Sequence, residues 1–194
     1  RDKLTVIQDV KHETPGWLKL IISGSSRNIP IFEPPLNAIT TEWDKDTLNL
    51  WYDPVTNYAG RAIIGTDTTR IKIADGKAKT GSSLILTPLS GRLHPAEEAK
   101  LKSNVPVSTL DTTLMRLKRD TTEGIPFSIR IDSVSQRILW IKSNWIPPSR
   151  YTMQFLPGAI TDIWGRCNDT FNYSFVINEL NQFSNLDMKI SGLD

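Results

Sequence analysis

The sequence predicts an all-β protein made of two tandem antiparallel β-sandwiches. Apolar residues recur at every second position in short runs, the spacing that places them on one face of a half-buried strand. Clusters of Pro, Gly, Asp and Ser separate these runs closely enough for antiparallel neighbours, without the helical crossovers that a parallel sheet needs. The length of 194 residues matches two domains of about 100 residues each.

The alternating pattern is clearest in five runs, which lie at residues 18–22, 48–52, 127–131, 151–155 and 171–177. In the last run Phe171, Tyr173 and Phe175 alternate with polar residues. Residues 95–102 differ, because a Pro suited to the first helical position precedes good helix formers that have little apolar face. Helix and edge strand are both open for this segment.

The domain boundary is predicted at residues 74–83, ten residues without one large apolar side chain. We therefore expect one sandwich over residues 1–80 and a second over residues 81–178. Residues 179–194 are too few for a core and too apolar for a solvated tail. They are interpreted as the start of a truncated following domain or as a tail.

Composition excludes several classes of protein. The 23 basic and 21 acidic residues give a net charge of +2, which argues against nucleic acid or an anionic membrane surface as a partner. No apolar run approaches the roughly 20 residues that span a bilayer, so we expect any anchor to lie elsewhere in a longer protein. The single Cys167 cannot form an internal disulfide and is expected to be a small, semi-buried apolar side chain.

The sequence contains no recognisable motif for catalysis, metal binding or nucleotide binding. His12 and His94 have no ligand at metal-site spacing, and we expect both at loops or strand edges. The serines lack a nucleophile elbow, and the carboxylates at 97–98 and 44–46 are expected to be solvated charges. With no phosphate loop or dinucleotide fingerprint either, the sequence predicts a protein that is not an enzyme and binds no cofactor or metal.

Three motifs in the second half resemble bacterial Ig-like domains. Residues 103–111 are similar to the signature F-S-x-P-V-x-x-x-D without its Phe, and residues 145–151 resemble the corner L-x-P-G-T-x-Y. Residues 157–175 resemble the final hairpin D-x-x-G-N followed by Phe. The order of the motifs over 103–177 is that of surface-layer and cell-envelope domains, and the whole is most similar to tandem Ig-like domains of Bacteroidota cell-surface lipoproteins. Strands at 16–22 and 46–51 extend a weaker resemblance into the first half.

This resemblance implies two Ig-like sandwiches that act as a non-catalytic structural or adhesive spacer of a bacterial cell-envelope protein. The expected location is the cell surface, the outer membrane or the periplasm, and the expected partner is a cell-surface protein or a glycan. Two alternatives stay open. One is a carbohydrate-binding module accessory to polysaccharide uptake, and the other is a scaffold domain of an envelope assembly.

The motifs also assign structural residues. Tyr151 is expected at a sandwich corner, with its ring in the core and its hydroxyl bonded to an upstream backbone acceptor. In the last hairpin Asp162 is expected to accept hydrogen bonds from the following backbone, and Gly165 to supply a positive φ. A calcium site on Asp162, Asp169 and Asn168 is an alternative, although such sites usually need six or more oxygens.

The alternative of a carbohydrate-binding module is based on the six tryptophans of the sequence, because exposed indole rings can stack on sugars. Trp43 and Trp164, in segments predicted to be rich in turns, are the candidate stacking residues. The other four are expected to pack on the sheets or at the corner, and they are Trp17, Trp51, Trp140 and Trp145.

Overall fold

The computed structural model describes residues 4–24, 27–54, 57–74 and 84–179. The chain divides into two compact units, Arg1–Ser82 and Ser83–Asp194. Apart from its first residue, the predicted linker at 74–83 lies outside the described residues, as do residues 180–194. The predicted domain bounds at 80, 81 and 178 therefore stay predictions.

The described part of the first unit forms seven strands. They are β1 (Val6–Thr14), β2 (Trp17–Ser23), β3 (Ile31–Glu33), β4 (Ala38–Asp44), β5 (Thr47–Tyr52), β6 (Asn57–Ile64) and β7 (Asp67–Ala74). One antiparallel sheet has the order β1-β2-β5-β4 and the other the order β3-β6-β7. If the seven strands are lettered A to G along the chain, the strand orders of the two sheets are ABED and CFG. This is the constant-type immunoglobulin topology.

The core of the first unit follows from the alternation in its strands. Leu18, Leu20 and Ile22 on β2 point to one side, and all three are buried. Leu48 and Leu50 on β5 join them on the same face. Buried side chains of β6 and β7 belong to the same cluster, so the two sheets enclose one hydrophobic core.

The described part of the second unit forms ten strands and one short 3₁₀ helix, Thr112–Leu114. The strands are β8 (Leu86–Pro88), β9 (Arg92–Leu93), β10 (Ala99–Ser103), β11 (Val107–Leu110), β12 (Met115–Arg119), β13 (Ser128–Ile131), β14 (Ile138–Lys142), β15 (Ser149–Phe155), β16 (Ile160–Asp162) and β17 (Phe171–Ile177).

The second unit repeats the strand order of the first. One sheet runs β8-β10-β14-β13, which reads ABED, and the other runs β12-β15-β17-β9, which reads CFG with a short extra strand beside G. That extra strand, β9, pairs parallel with β17, while β11 and β16 form a separate two-stranded pair. The prediction of an all-β protein with Ig-like antiparallel sandwiches is confirmed.

Residues 95–102 form neither a helix nor an edge strand. Residues 95–97 make a turn, in which the Glu97 amide donates to the His94 carbonyl at 2.9 Å. Strand β10 follows and lies inside its sheet, between β8 and β14. Ala99 and Leu101 are fully buried and alternate with two lysines, so the strand period prevails over helix propensity here.

Aromatic rings fill much of the second core. The ring of Tyr151 lies 4.9 Å from Trp145 and 5.8 Å from Phe175, measured between centroids. Met153 is fully buried two residues after Tyr151, the position that carries a half-cystine in antibody domains. The expected semi-buried placement of Cys167 is wrong, because Cys167 is exposed beside the short strand β16. Among the described residues no helix is long and apolar enough to cross a membrane.

Candidate functional site

Tyr151 lies near the start of β15, where the chain has just crossed between the sheets. Its side chain is fully buried, and its hydroxyl oxygen accepts a hydrogen bond from the Ile146 amide at 3.0 Å. The upstream backbone group is therefore a donor, and the acceptor expected from the sequence is wrong. The contact holds the connection between β14 and β15 against the core, as a tyrosine corner does.

Asp162 organises the hairpin between β16 and β17. Its Oδ1 accepts hydrogen bonds from the amides of Trp164 and Arg166, both at 2.9 Å, and its Oδ2 accepts one from Arg166 Nε at 2.7 Å. Gly165 has φ 81°, and its amide donates to the Asp162 carbonyl at 3.1 Å. A buried carboxylate with three donors thus fixes a turn that requires a left-handed residue.

Two residues of the calcium alternative, Asp162 and Asn168, are already engaged by hydrogen bonds inside the protein, and the third, Asp169, is exposed. Asn168 Oδ1 accepts the Ile160 amide at 2.7 Å, and Asn168 Nδ2 donates to the carbonyls of Leu156 and Asp169. Asp162 is equally engaged, as described above. Within the described ranges no group of three or more His, Cys, Asp and Glu side chains could hold a metal ion.

The two candidate stacking residues lie in different units. Trp43 is on strand β4 rather than in a turn, opposite Leu48, and packs against the first core with the Arg27 guanidinium 5.6 Å from its ring centroid. Trp164 is in the turn after β16, with the Arg166 guanidinium 4.5 Å from its ring. Each indole is half-buried and has an arginine guanidinium over its ring.

The other tryptophans have distinct partners. Trp17 and Trp51 stack at 5.8 Å on the outer face of the ABED sheet of the first unit, where Trp17 Nε1 donates to Asn49 Oδ1 at 3.1 Å. Trp145 lies at the corner and donates from Nε1 to the Glu97 carbonyl at 2.8 Å. These placements agree with sheet packing and a corner role.

Sequence reasoning missed a groove in the second unit. It has a volume of about 1000 Å³ and lies between residues 89–98 and the end of β14 with the residues that follow it. Its polar wall carries Lys100, Lys142 and Asn144, and its apolar wall includes Leu89 and Pro95. The outward alternation of residues 140, 142 and 144 is the one sequence signal that could have pointed to it.

Trp140 stands at this groove between two cations. Lys100 Nζ lies 4.1 Å and the Arg130 guanidinium 4.9 Å from the ring centroid, and they come from the strands on either side of β14. Trp140 Nε1 donates to Asp132 Oδ2 at 2.9 Å. The pKa of Asp132 is lowered because its carboxylate accepts backbone amides as well as this indole. The ring is therefore held in place by a hydrogen bond and by two cations from the neighbouring strands.

The charged side chains that line the groove differ in their partners. Glu98 accepts a hydrogen bond from Arg130 at 2.7 Å, and Glu97 Oε2 accepts the His94 amide at 3.0 Å. Within the part of the chain that the structure describes, neither Lys100 nor Lys142 forms an ion pair with a carboxylate. The groove is thus lined by two lysines without an ion pair, by Glu98 paired with Arg130, by Glu97, which keeps its charge, and by the exposed amide of Asn144.

No family model and no curated protein matches this chain. Among solved structures it is similar to the adhesin InvE of Yersinia pseudotuberculosis, with 11% identity and a TM-score of 0.28, over 91% of this chain and 58% of that one. It is also similar to a chimeric titin Z1Z2 functionalised with a KLER peptide from decorin, with 12% identity and a TM-score of 0.27, over 90% and 92% of the two chains. The chain thus spans less than two thirds of the adhesin structure. Assignment of the Ig-like topology rests on strand order in the two units.

Proposed function

We propose that this chain is a non-catalytic structural or adhesive spacer of a bacterial cell-envelope protein. The observation that carries the proposal is the repetition of one complete topology in both units. In a sandwich of seven antiparallel strands the first strand begins at one end and the last strand finishes at the other. Each unit therefore passes the chain from end to end, which suits a module that holds other domains apart.

The strand beside G in the second unit gives this role a mechanical basis. The Val176 amide on β17 donates to the Gly91 carbonyl at 3.0 Å, and the Asn178 amide donates to the Leu93 carbonyl at 3.1 Å. Because β9 and β17 are parallel, a force on the two ends of this unit loads these bonds in shear, and they must break together. Tension along the chain would therefore meet resistance in the sandwich itself.

Single-molecule force spectroscopy of the chain between two marker domains tests the proposal. We expect a separate unfolding event for each unit. The variant Val176→Pro lacks the amide that donates to the Gly91 carbonyl across the β17–β9 pair. The second unit of this variant should therefore unfold at a lower force than in wild type. The first unit serves as the control within each molecule, and extension without resistance in either unit would refute a load-bearing spacer.

The bacterial envelope in this proposal rests on the sequence resemblance over 103–177. Its test is protease treatment of intact cells that make the full-length protein, compared with cells whose outer membrane has been opened. Cleavage in intact cells supports surface display, and cleavage only after opening supports the periplasm. Recovery with the cytosolic fraction would refute an envelope role.

A further inference from the structure

The groove beside Trp140 offers a binding site that the spacer role does not use. Its volume of about 1000 Å³ lies at the upper end of the range for ligand sites, and it opens to solvent. Its floor contains Trp145 and Leu93, which are 8% and 4% exposed, and its rim contains exposed Leu89, Lys142 and Asn144. A rigid floor under a polar rim is a surface prepared for contact with a ligand.

Several contacts fix this surface in advance. Trp145 is tied to the Glu97 carbonyl, and Trp140 is held by Asp132 and by the two cations that flank its ring. Binding therefore requires little ordering of the aromatic side chains, which lowers its entropic cost. Only the lysine and asparagine side chains on the rim have to be immobilised.

The charges select the kind of ligand. Glu98 is paired with Arg130, whereas Glu97 accepts the His94 amide and keeps its negative charge. Within the described residues neither Lys100 nor Lys142, which both line the groove, is paired with a carboxylate, so the unpaired lysines outnumber the unpaired carboxylate by one. Three side chains can thus donate to an anion, with Asn144 as the third. The short apolar wall next to them can contact the C–H surface of a sugar ring.

We propose that this groove binds an acidic polysaccharide, with a carboxylate or sulfate of the sugar at Lys142 and Lys100. Since the cations of Lys100 and Arg130 already lie over Trp140, the indole serves as a wall and the sugar rings contact Leu89 and Pro95 instead of stacking on it. The proposal differs from the platform expected at Trp43 and Trp164. It is also independent of the load-bearing role, because its loss would leave unfolding under force unchanged.

The test is titration of the chain with oligosaccharides of polygalacturonate and of chondroitin sulfate, with dextran as the neutral comparison. We expect binding to an acidic saccharide that weakens with added salt, and no binding to dextran. In Lys142→Glu the affinity should fall about tenfold or more, because a favourable charge becomes a repulsive one. Lys142 is exposed and forms no ion pair with any residue that the structure describes, so this variant should fold normally.

The matched control is Lys72→Glu, which makes the same charge change at an exposed lysine on β7 of the first unit. Its affinity should stay at the wild-type value. Equal losses in the two variants would show attraction by net charge alone and would overturn the proposal. So would an absence of binding to either acidic saccharide, or binding of poly-glutamate as tight as that of the sugars, which would indicate an acidic peptide as the ligand.

Discussion

The two units share one strand order but use the tyrosine of strand F differently. In the second unit Tyr151 on β15 accepts from the Ile146 amide in the connection that precedes its own strand. In the first unit Tyr58 on β6 donates instead to the Pro34 carbonyl, just beyond the neighbouring strand β3, at 2.7 Å. Topology is therefore preserved while the hydrogen bond that secures it moves to another part of the sheet.

The difference extends to the space around each ring. A Cβ on Gly60 would lie 2.5 Å from the Glu33 carbonyl oxygen and 2.6 Å from Tyr58 Cζ. The Tyr58 ring can therefore lie over residue 60 of the same strand only because that residue is glycine. Burial, and secondly the Glu33 carboxylate, raise the pKa of Tyr58. The Phe32 ring meets Tyr58 edge-on at 6.5 Å, whereas the rings of Trp145 and Phe175 lie closer to Tyr151, at 4.9 and 5.8 Å. In the first unit Gly60 leaves space for the ring of Tyr58, and in the second unit Trp145 and Phe175 pack closely around the ring of Tyr151.

The largest expected effect concerns the hairpin lock of the second unit. Asp162→Ala removes a buried acceptor from two amides and from Arg166, and should lower the free energy of unfolding of that unit by roughly 3–5 kcal/mol. Denaturant titration of wild type and variant measures the loss. Asp169→Ala, an exposed carboxylate in the same hairpin, should change stability by less than about 0.5 kcal/mol. Equal effects in the two variants would contradict the assigned role.

The next largest expected effect is a loss of stability of the second unit at alkaline pH. Burial raises the pKa of Tyr173 to about 12, compared with an ordinary value of 10.0. A raised pKa means that the neutral phenol is stabilised in the fold, so the contribution is complete below pH 10 and is lost between pH 10 and about 12. A shift of this size corresponds to about 2–3 kcal/mol.

Denaturation of wild type and Tyr173→Phe across that range provides the measurement. The variant loses the hydrogen bond to the Ser90 carbonyl and should be less stable at neutral pH. It should also lose stability less steeply than wild type as the pH rises. Parallel curves above pH 10 would show that the phenol of Tyr173 ionises as freely in the fold as in the unfolded chain.

A substitution in the first unit tests the space beneath Tyr58. Gly60→Ala forces the ring or the β3 backbone to move and should cost about 2 kcal/mol, within the usual range for overpacking. The control is Gly91→Ala in the second unit, where an added Cβ would meet nothing within 4 Å. Thermal melts of both variants should shift only for Gly60→Ala. A stable Gly60→Ala protein would mean that the ring has another place to go.

The smallest expected effect compares the two tyrosine hydroxyls. Tyr151→Phe leaves the Ile146 amide without its acceptor and should destabilise the second unit by roughly 1–2 kcal/mol. Tyr58→Phe should do the same to the first unit through the Pro34 carbonyl. If the units unfold independently, each variant shifts one of two melting transitions. A shift of both transitions by either variant would show that the predicted division into separate cores is wrong.

Most of the fold could be predicted because a strand depends on a local pattern. The alternation at 171–177 and 151–155 corresponds to β17 and most of β15. Local propensity failed at 95–102, where the burial of Ala99 and Leu101 between two strands decided the structure. Burial depends on neighbours far along the chain, and single-sequence patterns do not contain them.

The candidate site was harder to predict than the strands, because it too depends on residues that are far apart along the chain. Tyr151 and Asp162 belong to short motifs whose partners lie within five residues, so their environment could be foreseen. The groove instead joins residues 89–100 to residues 140–145, and no spacing in the sequence reports that proximity. The exposure of Cys167 likewise depends on its pairing with Thr161 at the edge of a short strand.

Met153 has a consequence for how the second unit reaches its native state. Antibody domains close the contact between strands B and F with a disulfide, whereas here a thioether and its aromatic neighbours fill that position. With one cysteine in the sequence, the native state needs no internal oxidation step. The fold of this sandwich therefore does not depend on a redox partner that closes an internal disulfide.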